Sequence, residues 1–192
     1  MSNEKVWFVT EVSAGFGLNL VKSLLLNGQR VAALAGNADI SKRIMDSSSP
    51  TRRLLSFTAD PDSEESIKNA VEQTIARFGR IDIVVNNAGM FGAYYVLKQA
   101  IPYLQDQHAG HIINFLAPSA PVGDCQICTA TRLALESLSE ALLSGIEGIG
   151  IKVTSVAEPA LFGGAALGMA LLGEPMSRCH QSVRRSPQLQ LQ

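Results

Sequence analysis

Two short stretches of the chain hold residue types whose spacing suits chemistry. The first is Val9–Gly17, VTEVSAGFG. An apolar run leads into it and a helix-like segment leaves it. In that setting bare backbone N–H groups and a helix N-terminus can receive a phosphate. Glycine serves such a turn because it permits positive φ and close approach. Here Glu11 stands where the chain enters the turn. A side chain costs about 1–2 kcal/mol if φ must be positive. A carboxylate ~4 Å from a phosphate adds repulsion of roughly 1 kcal/mol in water, or ~4 at an effective dielectric of about 20. These terms predict that phosphate binding is weakened by at least about tenfold.

The second stretch is CQIC, Cys125–Cys128, with Arg132 one helical turn further on. A C-x-x-C pair at a helix start serves as a redox dithiol or as half of a metal site. No second pair completes a metal set, and the usual strand-then-helix context of a dithiol is missing. Two small residues in a loop is the ordinary reading, and no metal site is predicted. His108 and His111 flank a turn and read as solvated. Tyr94 and Tyr95 fall on a helix, with packing as their first reading and a stand-in acid as the sharper one.

The elements that must position these residues alternate along the chain. KVWFVT, RVAALA, RLLSFTA, IDIVVNNAG, HIINFLA and IKVTSVA are short apolar runs that suit strands covered on both faces. GLNLVKSLLLNG reads as a helix closed by Gly28. Asp62 or Ser63 can cap the next helix, with Glu65 completing a capping box with Asp62. Ile67, Ala70, Val71, Thr74, Ile75 and Phe78 then share a face, and Gly79 stops the helix. TATRLALESLSEALLSGIEG is a further long helix, with Leu135, Leu138 and Leu142 at core spacing. This alternation predicts an α/β fold with a doubly wound parallel sheet, whose ligands bind at the carboxyl ends of the strands.

The totals agree with one globular domain. The chain has 192 residues, 46% hydrophobic and 17% charged, with a formal net charge of −1. That balance gives no reason to expect nucleic acid or an anionic membrane as partner. The start lacks the pattern of a secretory signal. ALFGGAALGMALLG is shorter than the roughly 20 residues a spanning helix needs. Three cysteines suit a reducing compartment, and a cytoplasmic protein is expected. The ordered domain is expected over residues 1–165. Residues 166–192, which end in SRCHQSVRRSPQLQLQ, read as a flexible tail.

The turn departs from the generic G-x-G-x-x-G fingerprint. It resembles instead T-G-x-x-x-G-x-G of the short-chain dehydrogenase/reductase family, with Thr10, Gly15 and Gly17 matching and Glu11 in place of the first glycine. NNAG (Asn86–Gly89), GHIIN (Gly110–Asn114) and ATRLALESLSEAL resemble three further family motifs in the same order, over roughly residues 5 to 162. The resemblance implies a Rossmann-like fold of about six strands, here without the family's usual last strand and C-terminal helices. It implies NADP or NAD as cofactor and a carbonyl or alcohol as substrate. Thr10, Ser13, Gly15, Phe16 and Gly17 would lie along the phosphates and ribose, Asp60 by the adenine amino group, and Asn87, Ala88 and Gly89 on the far side of the cofactor. Past the second strand, ALAGNAD offers neither a basic residue for a 2′-phosphate nor a clear acid for a free ribose hydroxyl. The helices around residues 92–107 and 129–147 would form a homodimer contact.

The departures fall on the chemistry. The family's tyrosine and lysine positions hold Cys128 and Arg132. Its serine position falls near Ala117, with Ser119 two residues on, and its asparagine has no counterpart. A thiol beside a cation can still be acidic near neutral pH, but its stem is short, and arginine lacks the compact ammonium of lysine. Two readings follow. One is an NAD(P)-dependent oxidoreductase with impaired catalytic positions, in which Cys128, Arg132 and Ser119 carry the residual chemistry. The other is a catalytically inactive relative that acts as a binding or interaction protein, or a degenerate gene product.

Overall fold

The computed structural model describes residues 4–13, 15–36, 44, 51–87, 90–116, 126–146 and 148–157. Within them the elements run β1 (Val6–Val9), α1 (Gly15–Leu26), β2 (Arg30–Ala35), a 3-10 turn (Thr51–Arg53), β3 (Leu54–Thr58), α2 (Glu64–Phe78), β4 (Ile83–Asn86), α3 (Met90–Asp106), β5 (Gly110–Leu116), α4 (Gln126–Gly145) and β6 (Ile151–Ala157). The strands form one six-stranded sheet in the order β3-β2-β1-β4-β5-β6. Every pairing is parallel. The expected Rossmann-like sheet is therefore observed. The expected domain boundary at 165–166, the tail, and the missing last strand and final helices concern residues outside those described.

The continuous apolar runs are explained by cover on both faces. Successive side chains of a strand point to opposite sides. Trp7, Val9, Val31, Ala33, Ile83, Val85 and Ile113 join Leu18, Val21 and Leu24 of α1 in one cluster. Phe8, Ala32, Leu34, Val84 and Ile112 join Ile67 and Val71 of α2 and Val96, Leu97 and Leu104 of α3 in the other. Leu138 and Leu142 of α4 pack against this second cluster, and Leu135 joins Ala93 of α3 between the two helices.

Local signals set the helix ends, with two corrections. Ser63, not Asp62, caps α2: its hydroxyl accepts from the Ser66 N–H at 3.3 Å. The Asp62–Glu65 capping box therefore does not form. The Asp62 N–H is instead held by the Asp60 carboxylate at 2.9 Å. Gly79 ends α2 as expected, at φ 80 with its N–H on the Ile75 carbonyl at 2.7 Å. The first helix begins at Gly15, two residues before the expected start at Gly17. The helices expected at 92–107 and 129–147 span Met90–Asp106 and Gln126–Gly145.

A candidate nucleotide cleft at the carboxyl ends of the strands

The strand order reverses at β1, which lies between β2 and β4. An open cleft of ≈ 120 Å³ lies there, at the carboxyl ends of the strands. The turn after β1 supplies Thr10, Glu11 and Ser13; the end of β2 supplies Leu34, Ala35 and Gly36. Ala59 and Pro61 of the loop after β3, Ile67 of α2 and Gly92 of α3 complete it. Its walls are mostly apolar, and Glu11 is the single charged residue among those lining it.

The turn has the backbone of a glycine turn with one glycine replaced. Glu11 has φ 53 and Gly15 φ 59, both left-handed. Gly17 is required by packing: a Cβ there would run into the Glu11 carbonyl oxygen and come within 3.1 Å of the Val12 Cα. The Glu11 peptide is fixed from other sides as well. Its carbonyl accepts from the Asn87 side-chain amide at 3.3 Å, and the Val12 N–H donates to the Leu34 carbonyl at 3.1 Å. The Glu11 side chain is exposed, and no hydrogen bond or ion pair engages its carboxylate among the described residues.

Thr10 turns inward. It is buried, its hydroxyl donates to the Val85 carbonyl at 3.3 Å, and the same oxygen accepts from the Asn87 N–H at 3.0 Å. Its hydroxyl thus ties the first turn to the end of β4. Phe16 packs its ring on Phe115 of β5, with centroids 4.4 Å apart. Asp60 is exposed beside the cleft, between Ala59 and Pro61. The structure therefore brings Thr10, Ser13, Gly15, Phe16, Gly17, Asp60 and Asn87 to one end of the sheet. Ala88, Gly89 and Ser119 lie outside the described residues. Cys128 and Arg132 fall in the first two turns of α4.

A buried polar chain was missed by sequence reasoning. Asn86, at the end of β4, sits opposite Asn114 within β5. The Asn86 amide donates to Asn114 Oδ1 at 2.8 Å, and the Asn114 amide donates to Ser139 Oγ at 2.7 Å. Ser139 in turn donates to the Leu135 carbonyl at 2.7 Å. All three side chains are buried. The chain fastens α4, the helix that holds Cys128 and Arg132, to the middle of the sheet. The one sequence signal for it is an asparagine in each of two adjacent apolar runs.

The histidines divide. His108 occupies a turn at φ 50. His111 is not freely solvated as expected: it is half-buried, with Nε2 2.8 Å from Thr154 Oγ1. Burial lowers its pKa below the usual histidine value, and the charges of Lys152 and Lys5 lower it further. It sits near the start of β5, away from the cleft. Tyr94 and Tyr95 pair on α3 with ring centroids 5.6 Å apart. No cluster of metal-ligating side chains occurs among the described residues, and no described helix is long and apolar enough to cross a membrane.

A parallel sheet in the order 3-2-1-4-5-6, with a glycine turn and a cleft at the switch in strand order, defines a Rossmann-type fold. The sequence profile of short chain dehydrogenases matches residues 5–94. An uncharacterized oxidoreductase of Staphylococcus epidermidis is 29% identical over 177 residues, covering 80% of this chain and 76% of that protein. The ipsdienol dehydrogenase of Ips pini is 28% identical over 195 residues, covering 82% and 74%. Among solved structures, a short-chain dehydrogenase from Streptomyces avermitilis superposes with a TM-score of 0.76 at 25% identity, covering 84% of this chain and 68% of that one. A metagenomic short-chain oxidoreductase in complex with NADP gives 0.77 at 21% identity, covering 88% and 89%. In sequence and in fold the chain is similar to short-chain dehydrogenases.

Proposed function

We propose that the chain is a nicotinamide-nucleotide-binding oxidoreductase of the short-chain type, acting on a carbonyl or alcohol, in which both cofactor binding and catalysis are impaired. The observation that carries this reading is the cleft itself: an open, mostly apolar hollow at the switch point, bordered by a glycine turn whose first glycine is a left-handed glutamate. The apolar walls suit a base and sugar. The Gly17 contact keeps α1 close behind the turn, so that the helix N-terminus faces the phosphate position. Ser13, Gly15, Phe16, Gly17 and Asp60 would border the adenosine half, and Asn87, Ala88 and Gly89 the nicotinamide half. Glu11 fits poorly, because an anion then stands where the pyrophosphate should approach.

When bound, NADPH or NADH supplies the hydride. In this reading the Cys128 thiol gives the proton that the carbonyl oxygen gains, and solvent returns it. Arg132 favours the thiolate left behind, and Ser119 helps to polarise the carbonyl. A thiol reaches less far than a phenol, so turnover is slow. The same family reading pairs two copies through α3 and α4. It is supported by exposed apolar side chains on both helices, Tyr94 at 46% and Leu133 at 57%.

The test is NADPH and NADH oxidation over a panel of aldehydes and ketones, with Cys128→Ala alongside. Slow turnover that falls at least about tenfold in the variant is expected. Turnover unchanged in Cys128→Ala would remove the assigned roles. Nucleotide binding with no turnover on any carbonyl would assign the chain to the non-catalytic reading.

A further inference from the structure

Among the described residues that line the cleft, one is charged, Glu11, and it is negative. We propose that this cleft is a nucleoside site that selects against phosphate on the sugar, with Glu11 as the residue that sets the preference. The ligand class it holds best is a nucleoside with an uncharged 5′ end, ahead of the dinucleotide, whose binding Glu11 impairs. This inference rests on the reading that the cleft holds a nucleotide-like ligand, and goes further by inverting the charge the ligand should carry.

Three observations support it. First, the glutamate cannot leave by a backbone rearrangement. Its carbonyl is held by the Asn87 amide and faced closely by Gly17, while the following N–H is bound to Leu34. With φ at 53 the direction of its Cβ is fixed, and only side-chain rotation remains. Second, among the described residues no ion pair involves Glu11 and no basic residue lines the cleft. Third, the polar groups that remain suit hydroxyls. The Thr10 hydroxyl is engaged with Val85 and Asn87. A glutamate carboxylate only accepts hydrogen bonds when ionised. Ribose hydroxyls can donate to it, as they do to acids at nucleotide sites of this topology. Phosphate oxygens cannot, and they meet like charge. The apolar part of the cleft, from Leu34, Ala59 and Ile67, accepts a base whatever the sugar carries.

The test is calorimetric titration of the full chain with adenosine, AMP, ADP and NADH, repeated on Glu11→Gln, with circular dichroism to confirm that both proteins are folded. The wild-type protein should lose affinity with each phosphate, at least about tenfold from adenosine to ADP. Glu11→Gln should reverse that order while weakening adenosine a few-fold, because an amide is a poorer acceptor for ribose hydroxyls. Wild-type binding of ADP as tight as adenosine, or an adenosine-to-ADP ratio unchanged in Glu11→Gln, would overturn the inference. NADH binding tighter than adenosine in the wild-type protein, yet weaker than in Glu11→Gln, would overturn it and leave the proposed function standing. Failure of every ligand on both proteins would overturn both.

Discussion

Replacing Glu11 by glycine should stabilise the fold once the loss of charge is separated out. At φ 53 the residue sits in the left-handed region, which costs an L-amino acid about 1–2 kcal/mol. Glycine removes that cost, but its freer unfolded chain takes back about 0.4–1 kcal/mol. A third effect opposes the gain. Glu11 lies just ahead of α1, and a carboxylate near a helix N-terminus contributes about 0.3–1 kcal/mol. Measured against wild type, these effects nearly cancel. The informative comparison is Glu11→Gly with Glu11→Gln, since both lack the charge and only the glutamine retains the strained dihedral. The glycine variant should be more stable than the glutamine variant by about 0.5–1 kcal/mol. For a chain of this size that is a difference of about 1–4 °C in Tm. Thermal unfolding followed by circular dichroism reads it directly. A glutamine variant that melts at the same temperature as the glycine variant, or above it, would refute the claim that this position is strained.

Other perturbations have equally definite outcomes. Gly17→Ala should destabilise by about 1–3 kcal/mol or more, because its Cβ meets the backbone of Glu11 and Val12 rather than a yielding side chain; a denaturant midpoint equal to wild type would contradict this. Ser139→Ala leaves the buried Asn114 amide without its acceptor and should cost about 1–3 kcal/mol in urea unfolding, with α4 amides exchanging faster. An unchanged midpoint would show that the polar chain does not fasten α4. His111 has a lowered pKa in the fold, so below about pH 6.5 the unfolded chain takes up a proton that the folded chain refuses. Stability should therefore fall as pH drops from about 6.5 toward the lower folded value and then level off. His111→Gln should lose that pH-dependent segment, and a variant with the wild-type pH profile would contradict it.

Much of the fold was legible because its causes are local or periodic. The strands announced themselves as continuous apolar runs, since α1 covers one face of the sheet and α2 and α3 the other. Gly28 and Gly79 end their helices in the left-handed region that makes glycine a stop signal. The strained entrance to the turn could be read from Glu11 standing at a glycine position. What could not be read depends on register and on competition between neighbours. Asn86 meets Asn114 only because β4 and β5 pair in that register, and Ser139 reaches them from α4. Asp62 and Ser63 were equivalent as caps until Asp60 engaged the Asp62 N–H. Thr10 and Phe16 were expected along a cofactor. Their own packing, on β4 and on Phe115, is the part of their role that only the folded chain displays. His111 looked solvated because nothing local indicates that Thr154, 43 residues away, stands beside it.

The central claim is that this turn retains the backbone of a phosphate site while Glu11 holds the phosphate off. The most direct measurement is the dissociation constant of NADPH and of NADH for the wild-type chain and for Glu11→Gly, by calorimetry at low salt. The account predicts tightening by at least about tenfold when the carboxylate and its strain are removed. Equal affinity in the two proteins would contradict it.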